Sequence, residues 1–87
     1  MKATRVFYEG RVQGVGFRWT VRDLAKGYDV SGNVRNLDDG RVELRVCGED
    51  MSAFLEAIRS SALAGHIHKE VVEQIELSAP LRGFAIA

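Results

Sequence analysis

The residues Gly10-Arg11-Val12-Gln13-Gly14-Val15-Gly16-Phe17-Arg18 are of types, and at a spacing, that could do chemistry. Three glycines this close together are costly in backbone entropy, so plain connection explains them poorly. A Gly-rich loop running into a helix lets backbone N–H groups converge on one point, and the positive end of the helix dipole reinforces them. That is a nest for an anion. Arg18 falls where the helix would begin, and its fork of donors suits the oxygens of a phosphate or carboxylate. A tight strand-to-helix turn followed by a surface arginine would use the same residues. Glycine spacing alone leaves the two readings level.

The better-known phosphate loops do not fit. A dinucleotide fingerprint needs a third glycine where this chain has Trp19, and no Gly-Lys-Ser/Thr run is present. Mononucleotide chemistry is therefore not implied. Other reactive types are scattered. Cys47 ends an alternating strand pattern and reads as a small, partly buried side chain. His66 and His68 fall on one face of an extended segment, but no third metal ligand has suitable spacing. Arg35, Arg41 and Arg45 alternate with acids and read as a solvated sheet edge or face. Trp19 and Tyr28 read as packing residues.

The elements that must position the loop follow from periodicity. Thr4, Val6 and Tyr8 alternate with Arg5 and Phe7, which predicts a central or covered strand. Val21, Leu24, Ala25 and Tyr28 repeat at helical spacing from Arg18 to about Lys26, with Gly27 as a C-terminal stop. Val30, Gly32 and Val34 alternate as a strand. Asp39-Gly40 predicts a hairpin turn, and Val42, Leu44 and Val46 form its second strand. Asp50 is a plausible N-cap for a second helix along Met51, Phe54, Leu55 and Ile58. Ala62 continues that face, and Gly65 stops it. An extended segment runs from His66 to Leu77, where Val71, Val72 and Ile75 break strict alternation, which a bulge or a register error would explain. Pro80 ends it, and Phe84 and Ile86 form a short last strand. The order strand, helix, strand, strand, helix, strand is the ferredoxin-like split βαβ pattern: an antiparallel sheet, two helices on one face, and a short fifth strand.

Eighty-seven residues make one small domain, 1–87. Twelve basic residues balance twelve acidic ones, so no bulk field invites nucleic acid or an anionic membrane. Exposed aromatics on the central strands would be needed for an RNA-reading sheet, and Arg41 to Cys47 has none. One cysteine cannot form an internal disulfide, which points to a reducing, cytoplasmic compartment. There is no signal-like apolar run and no stretch of membrane-spanning length. A monomer is the default expectation.

The run from Gly10 to Arg18 closely resembles the first signature of the acylphosphatase family. Gly32-Asn33-Val34-Arg35-Asn36-Leu37-Asp38-Asp39-Gly40-Arg41-Val42, continuing to Gly48, is similar to its second signature. Gly83-Phe84-Ala85-Ile86 is similar to its closing strand, and the likeness covers nearly the whole chain. The resemblance implies a ferredoxin-like fold and hydrolysis of the carboxyl–phosphate bond of acyl phosphates to carboxylate and inorganic phosphate, with no metal or cofactor. Arg18 matches the family's phosphate-binding arginine, and Asn36 matches the asparagine that positions the attacking water. The backbone of Arg11, Val12, Gln13, Gly14, Val15, Gly16, Phe17 and Arg18 matches the phosphate cradle. One position departs: the family usually carries an aromatic residue where this chain has Asn33, which bears on local packing or substrate preference. Similar modules also stand at the front of larger carbamoyl-transferring proteins. A non-catalytic domain that binds acyl or carbamoyl phosphate is therefore the alternative. A chain that ends at Ala87 and closes its own sheet favours the free enzyme.

The chemistry is consistent with the residue types. The leaving group is a carboxylate, stable as an anion at neutral pH, so little is asked of a general acid. Phosphoryl transfer depends mainly on positioning and on stabilising charge on the equatorial oxygens. Asn36 can both accept from and donate to water but is no base at neutral pH. The resemblance implies that the water's proton passes to a phosphate oxygen.

Overall fold

Alternation along the strands decides which side of the sheet is dry. In this computed structural model, which describes residues 1–87, β1 spans Lys2–Gly10, α1 Phe17–Ala25, β2 Ser31–Asn36 and β3 Val42–Cys47. They are followed by α2 at Met51–Arg59, β4 at Ile67–Glu76 and β5 at Phe84–Ile86. The strands lie in the order β4-β1-β3-β2-β5. Antiparallel pairing sets Thr4, Val6 and Tyr8 of β1 opposite Val46, Leu44 and Val42 of β3. All six are buried. Phe17, Val21 and Ala25 of α1 and Phe54, Leu55 and Ile58 of α2 join the same core, so both helices cover one face. Burying each large apolar side chain contributes roughly 1.5–3 kcal/mol relative to leaving it exposed.

The expected ferredoxin-like architecture is what the chain adopts. Its four long strands are antiparallel. The short β5 instead pairs parallel with β2, setting Gly32 beside Phe84 and Val34 beside Ile86, so the five-stranded sheet is mixed.

The other face of the sheet carries charge. Arg5 pairs with Glu73, and Arg35 Nε lies 2.8 Å from Glu43 Oε1. Arg45 Nε donates to Asn33 Oδ1 at 3.2 Å. The Arg41 guanidinium sits 4.4 Å from the centre of the Phe7 ring. Asn33 therefore belongs to this charged face, whereas Asn36, three residues on, points to the opposite side.

Several local expectations are corrected. Asp50 stands before α2 but does not cap it; its Oδ2 accepts from the Asp29 N–H at 2.8 Å and fastens the β2 approach instead. The helix stops at Arg59, short of Ala62. Ser61 ends it by donating to the Ile58 carbonyl at 2.7 Å and accepting from the Leu63 N–H at 3.1 Å. Serine hydroxyls compete for backbone groups in this way. A 3-10 turn, Ala62–His66, follows and buries Leu63. His66 therefore lies outside the strand that carries His68. The irregularity in β4 is not at Val71 and Val72 but near His68, where the pairing with Glu9 and Gly10 shifts. Val71 and Val72 break alternation because β4 is an edge strand with little above it.

Candidate active site

The loop between β1 and α1 is built by its glycines. Gly14 has φ +77° and Gly16 φ +75°, left-handed conformations that other residues adopt only with strain. A Cβ at either position would meet no protein atom within 4 Å. Backbone conformation, not crowding, is therefore what requires glycine there. Gly16 is also the residue before α1, whose first turn has no side-chain cap and no acidic residue.

This geometry leaves donors unused. The first helical bond runs from Thr20 N–H to the Gly16 carbonyl at 3.0 Å. No backbone N–H from Val12 to Trp19 donates to a protein acceptor. Uncapped N–H groups at a helix start carry the positive end of the dipole and favour an anion. The Arg11 N–H is not among them, because it donates to the His66 carbonyl at 2.9 Å and belongs to the sheet edge.

Beside these donors lies a cavity of about 180 Å³. Gly14, Gly16 and Arg18 form one wall and Asn36 another; Val12, Phe17, Trp19 and Ile86 complete it. The structure thus brings Arg18 and Asn36 to one cavity from residues eighteen apart in the chain. Arg5, Arg35, Arg41 and Arg59 all have carboxylate partners, whereas Arg18 has none. Asn36 is exposed, and its side chain makes no protein hydrogen bond. It does not act as the hairpin's cap. Asp39 does that work, accepting from the Arg41 N–H at 3.1 Å and from Arg41 Nε at 2.8 Å. The Arg41 groups hold the Asp39 carboxyl below its usual range, the backbone hydrogen bond acting most strongly.

Gln13 and Val15 do not line the cavity. The Gln13 side chain turns away and donates to the Leu37 and Arg41 carbonyls at 2.8 and 3.0 Å. Sequence reading missed this latch, since nothing local marks residues 24 and 28 positions away as its partners. It missed the Phe17 anchor as well. Phe17 is buried against Tyr8, with ring centres 5.1 Å apart, and pins the start of α1 to the core. Tyr28 packs on Phe54, as expected of a packing residue. Trp19 does not pack. It is 57% exposed at the cavity rim, because two residues past Phe17 lies on the far side of a helix.

A second polar cluster was equally invisible in the sequence. Arg59 Nε donates to Glu70 Oε1 at 2.8 Å. The Tyr8 hydroxyl and Glu70 Oε2 are buried near each other, short of a hydrogen bond of good geometry. Burial, and then the Glu70 carboxylate, push the Tyr8 phenol well above its ordinary value. The bond to Glu70 raises Arg59 further.

Fold and site together define a ferredoxin-like α+β domain with a cavity and a row of unpaired backbone N–H groups between its first strand and first helix. The acylphosphatase family model matches residues 4–86. The chain belongs to the acylphosphatase family. It is 48% identical over 58 residues to an acylphosphatase of Listeria welshimeri, a match covering 64% of this chain and 62% of that relative. The crystal structure of acylphosphatase from Bacillus subtilis superposes with a TM-score of 0.86 at 32% identity, covering 100% of this chain and 99% of that one. HypF of T. kodakarensis contains a similar unit, with TM-score 0.87 and 31% identity, covering 100% of this chain and 12% of HypF. No helix is long and apolar enough to cross a membrane.

Proposed function

We propose that the chain is a single catalytic domain, 1–87, that hydrolyses acyl phosphates to a carboxylate and inorganic phosphate. The phosphoryl group sits on the N–H groups between Val12 and Arg18, with the Arg18 guanidinium on its oxygens. Asn36 accepts from the attacking water and orients it. Water oxygen bonds to phosphorus as the bond from phosphorus to the acyl oxygen breaks. The carboxylate leaves as an anion, and the water's proton passes to a phosphoryl oxygen. Charge on the equatorial oxygens is met by donors already fixed in place, which is where such sites gain most of their rate.

The observation that carries this reading is the row of N–H groups without protein acceptors beside an arginine without a carboxylate partner. One half-buried cysteine with no disulfide partner supports a reducing, cytoplasmic setting, and a monomer is the simplest state for it there. The test is phosphate release from acetyl phosphate with a chelator present. Hydrolysis lost in Arg18→Gln is expected. A folded protein that binds inorganic phosphate but releases none would instead make this a binding domain.

A further inference from the structure

The large apolar side chains exposed on this protein are few: Met1, Val15, Trp19, Val71 and Val72. Met1 is the terminus, and the two valines lie on the edge strand β4. Val15 and Trp19 are on the loop and helix start that form the anion nest. An isolated exposed apolar residue needs no explanation, but a tryptophan at the mouth of a cavity is a contact surface in waiting.

Nothing in the fold employs Trp19. The aromatic pairs are Tyr8–Phe17, Tyr28–Phe54 and Phe54–Phe84, and Trp19 is in none of them. Its indole N–H has no protein acceptor. It lines the same cavity as Arg18, so a phosphoryl group held by Arg18 there presents the rest of its molecule toward the indole. Phe17 cannot serve that role, because its ring is buried against Tyr8. Ile86 adds an apolar wall to the same cavity.

We propose that Trp19 is the acyl subsite, and that this protein prefers acyl phosphates whose acyl group is aromatic. The proposal rests on the acyl phosphate reading above and adds what lies beyond the phosphorus. A flat acyl ring stacks on the indole, removing apolar surface of both from water. The ring is bound equally in substrate and transition state, so the preference falls on KM and leaves kcat nearly level between acyl groups.

The chain has one tryptophan, so indole fluorescence reports this site alone. The probes are phenacylphosphonate and acetonylphosphonate, in which a methylene replaces the scissile oxygen and only the ring differs. The phenacyl compound should bind about tenfold tighter, the gain expected from stacking one ring, and should shift Trp19 emission. In Trp19→Ala the preference should vanish, and in Trp19→Phe most of it should return. Equal affinities with indole emission unmoved by the ring would overturn the proposal. So would a Trp19→Ala protein that weakens both phosphonates alike. If neither phosphonate binds the wild type and acetyl phosphate is not hydrolysed, the anion site itself is misassigned and the subsite falls with it.

Discussion

The Gln13 side-chain amide donates at 2.8 Å to the carbonyl of Leu37, the residue directly after Asn36. A second bond from the same nitrogen reaches the Arg41 carbonyl on the other side of the hairpin turn. Leu37 and Arg41 are themselves joined, Leu37 N–H to Arg41 carbonyl at 2.8 Å. One glutamine thus ties the loop between β1 and α1 to the hairpin that carries Asn36. On the proposed roles, the separation between the phosphoryl donors and the amide that orients water is set at this point.

Gln13→Ala should therefore act on catalysis more than on stability. The freed carbonyls are exposed and can take water, so the cost should be near the low end for two hydrogen bonds, about 1 kcal/mol. Displacing one catalytic group by a fraction of an ångström costs more, and kcat should fall ~10-fold or more. Phosphate affinity should change little, since the loop amides remain. Steady-state kinetics beside phosphate inhibition separates these effects, and an unchanged kcat would show that the latch is not what holds Asn36 in place.

Arg18 and Asn36 should fail differently. On the proposed roles, Arg18→Gln removes charge used both in binding and in transfer, so phosphate affinity and rate should fall together. On the same reading, Asn36→Ala removes only the group that places water, so turnover should fall while phosphate affinity stays close to wild type. Loss of one well-aimed group at a developing charge is worth roughly 3–4 kcal/mol, which puts each rate down by ~100-fold or more. Circular dichroism should show both variants folded, as neither side chain has a protein partner to lose. Matched losses of phosphate binding would make Asn36 a wall of the pocket.

The sequence shows the part of this site that is local. Gly14, Gly16 and Arg18 lie within five positions, and the backbone they force is a property of that segment. The strands and helices are legible for the same reason, because Val42, Leu44 and Val46 declare their face by alternation. Contacts between distant segments are not legible. Gln13 with Leu37, Phe17 with Tyr8, and Arg59 with Glu70 each require the chain to be folded before the partners are known. The break at Val71 and Val72 has a similar origin: it reads as a bulge or a register error, and only the strand order reveals an edge where apolar residues face water. Trp19 reads as a packing residue from its type alone, whereas its phase on α1 places it opposite Phe17.

Gly14→Ala and Gly16→Ala should destabilise through the backbone, by about 1–2 kcal/mol each for a side chain held at positive φ. Gly40, at φ +94° in the hairpin turn, should show a similar loss as Gly40→Ala. The three differ in what else they lose. Gly14 and Gly16 line the cavity and a Cβ there meets no protein atom, so if phosphate binds the loop it should no longer protect these variants against thermal unfolding. Gly40 does not border the cavity, and Gly40→Ala should keep that protection. Thermal melts with and without phosphate decide the matter; retained protection in all three would move the anion away from the loop.

Tyr8 gives the fold an alkaline limit. Its phenol is buried and faces the Glu70 carboxylate, so the folded protein holds the proton far more firmly than the unfolded chain, where tyrosine titrates near 10. The sign follows from linkage. Below the unfolded value both states are protonated, and the contribution of Tyr8 is fully present. Above it only the unfolded chain releases the proton, so stability is lost as pH rises. Between pH 9 and 11 this single group should remove about 1.4 kcal/mol from the unfolding free energy. Tyr8→Phe keeps the ring contact with Phe17 and discards the titrating group, so its stability should fall less over that interval by the same amount. At neutral pH the two proteins should differ by no more than ~1 kcal/mol, because the hydroxyl makes no hydrogen bond of good geometry. Urea unfolding across this range tests it. Parallel losses in wild type and Tyr8→Phe would mean that the alkaline limit is set elsewhere, and that the phenol is reached by water before the fold opens.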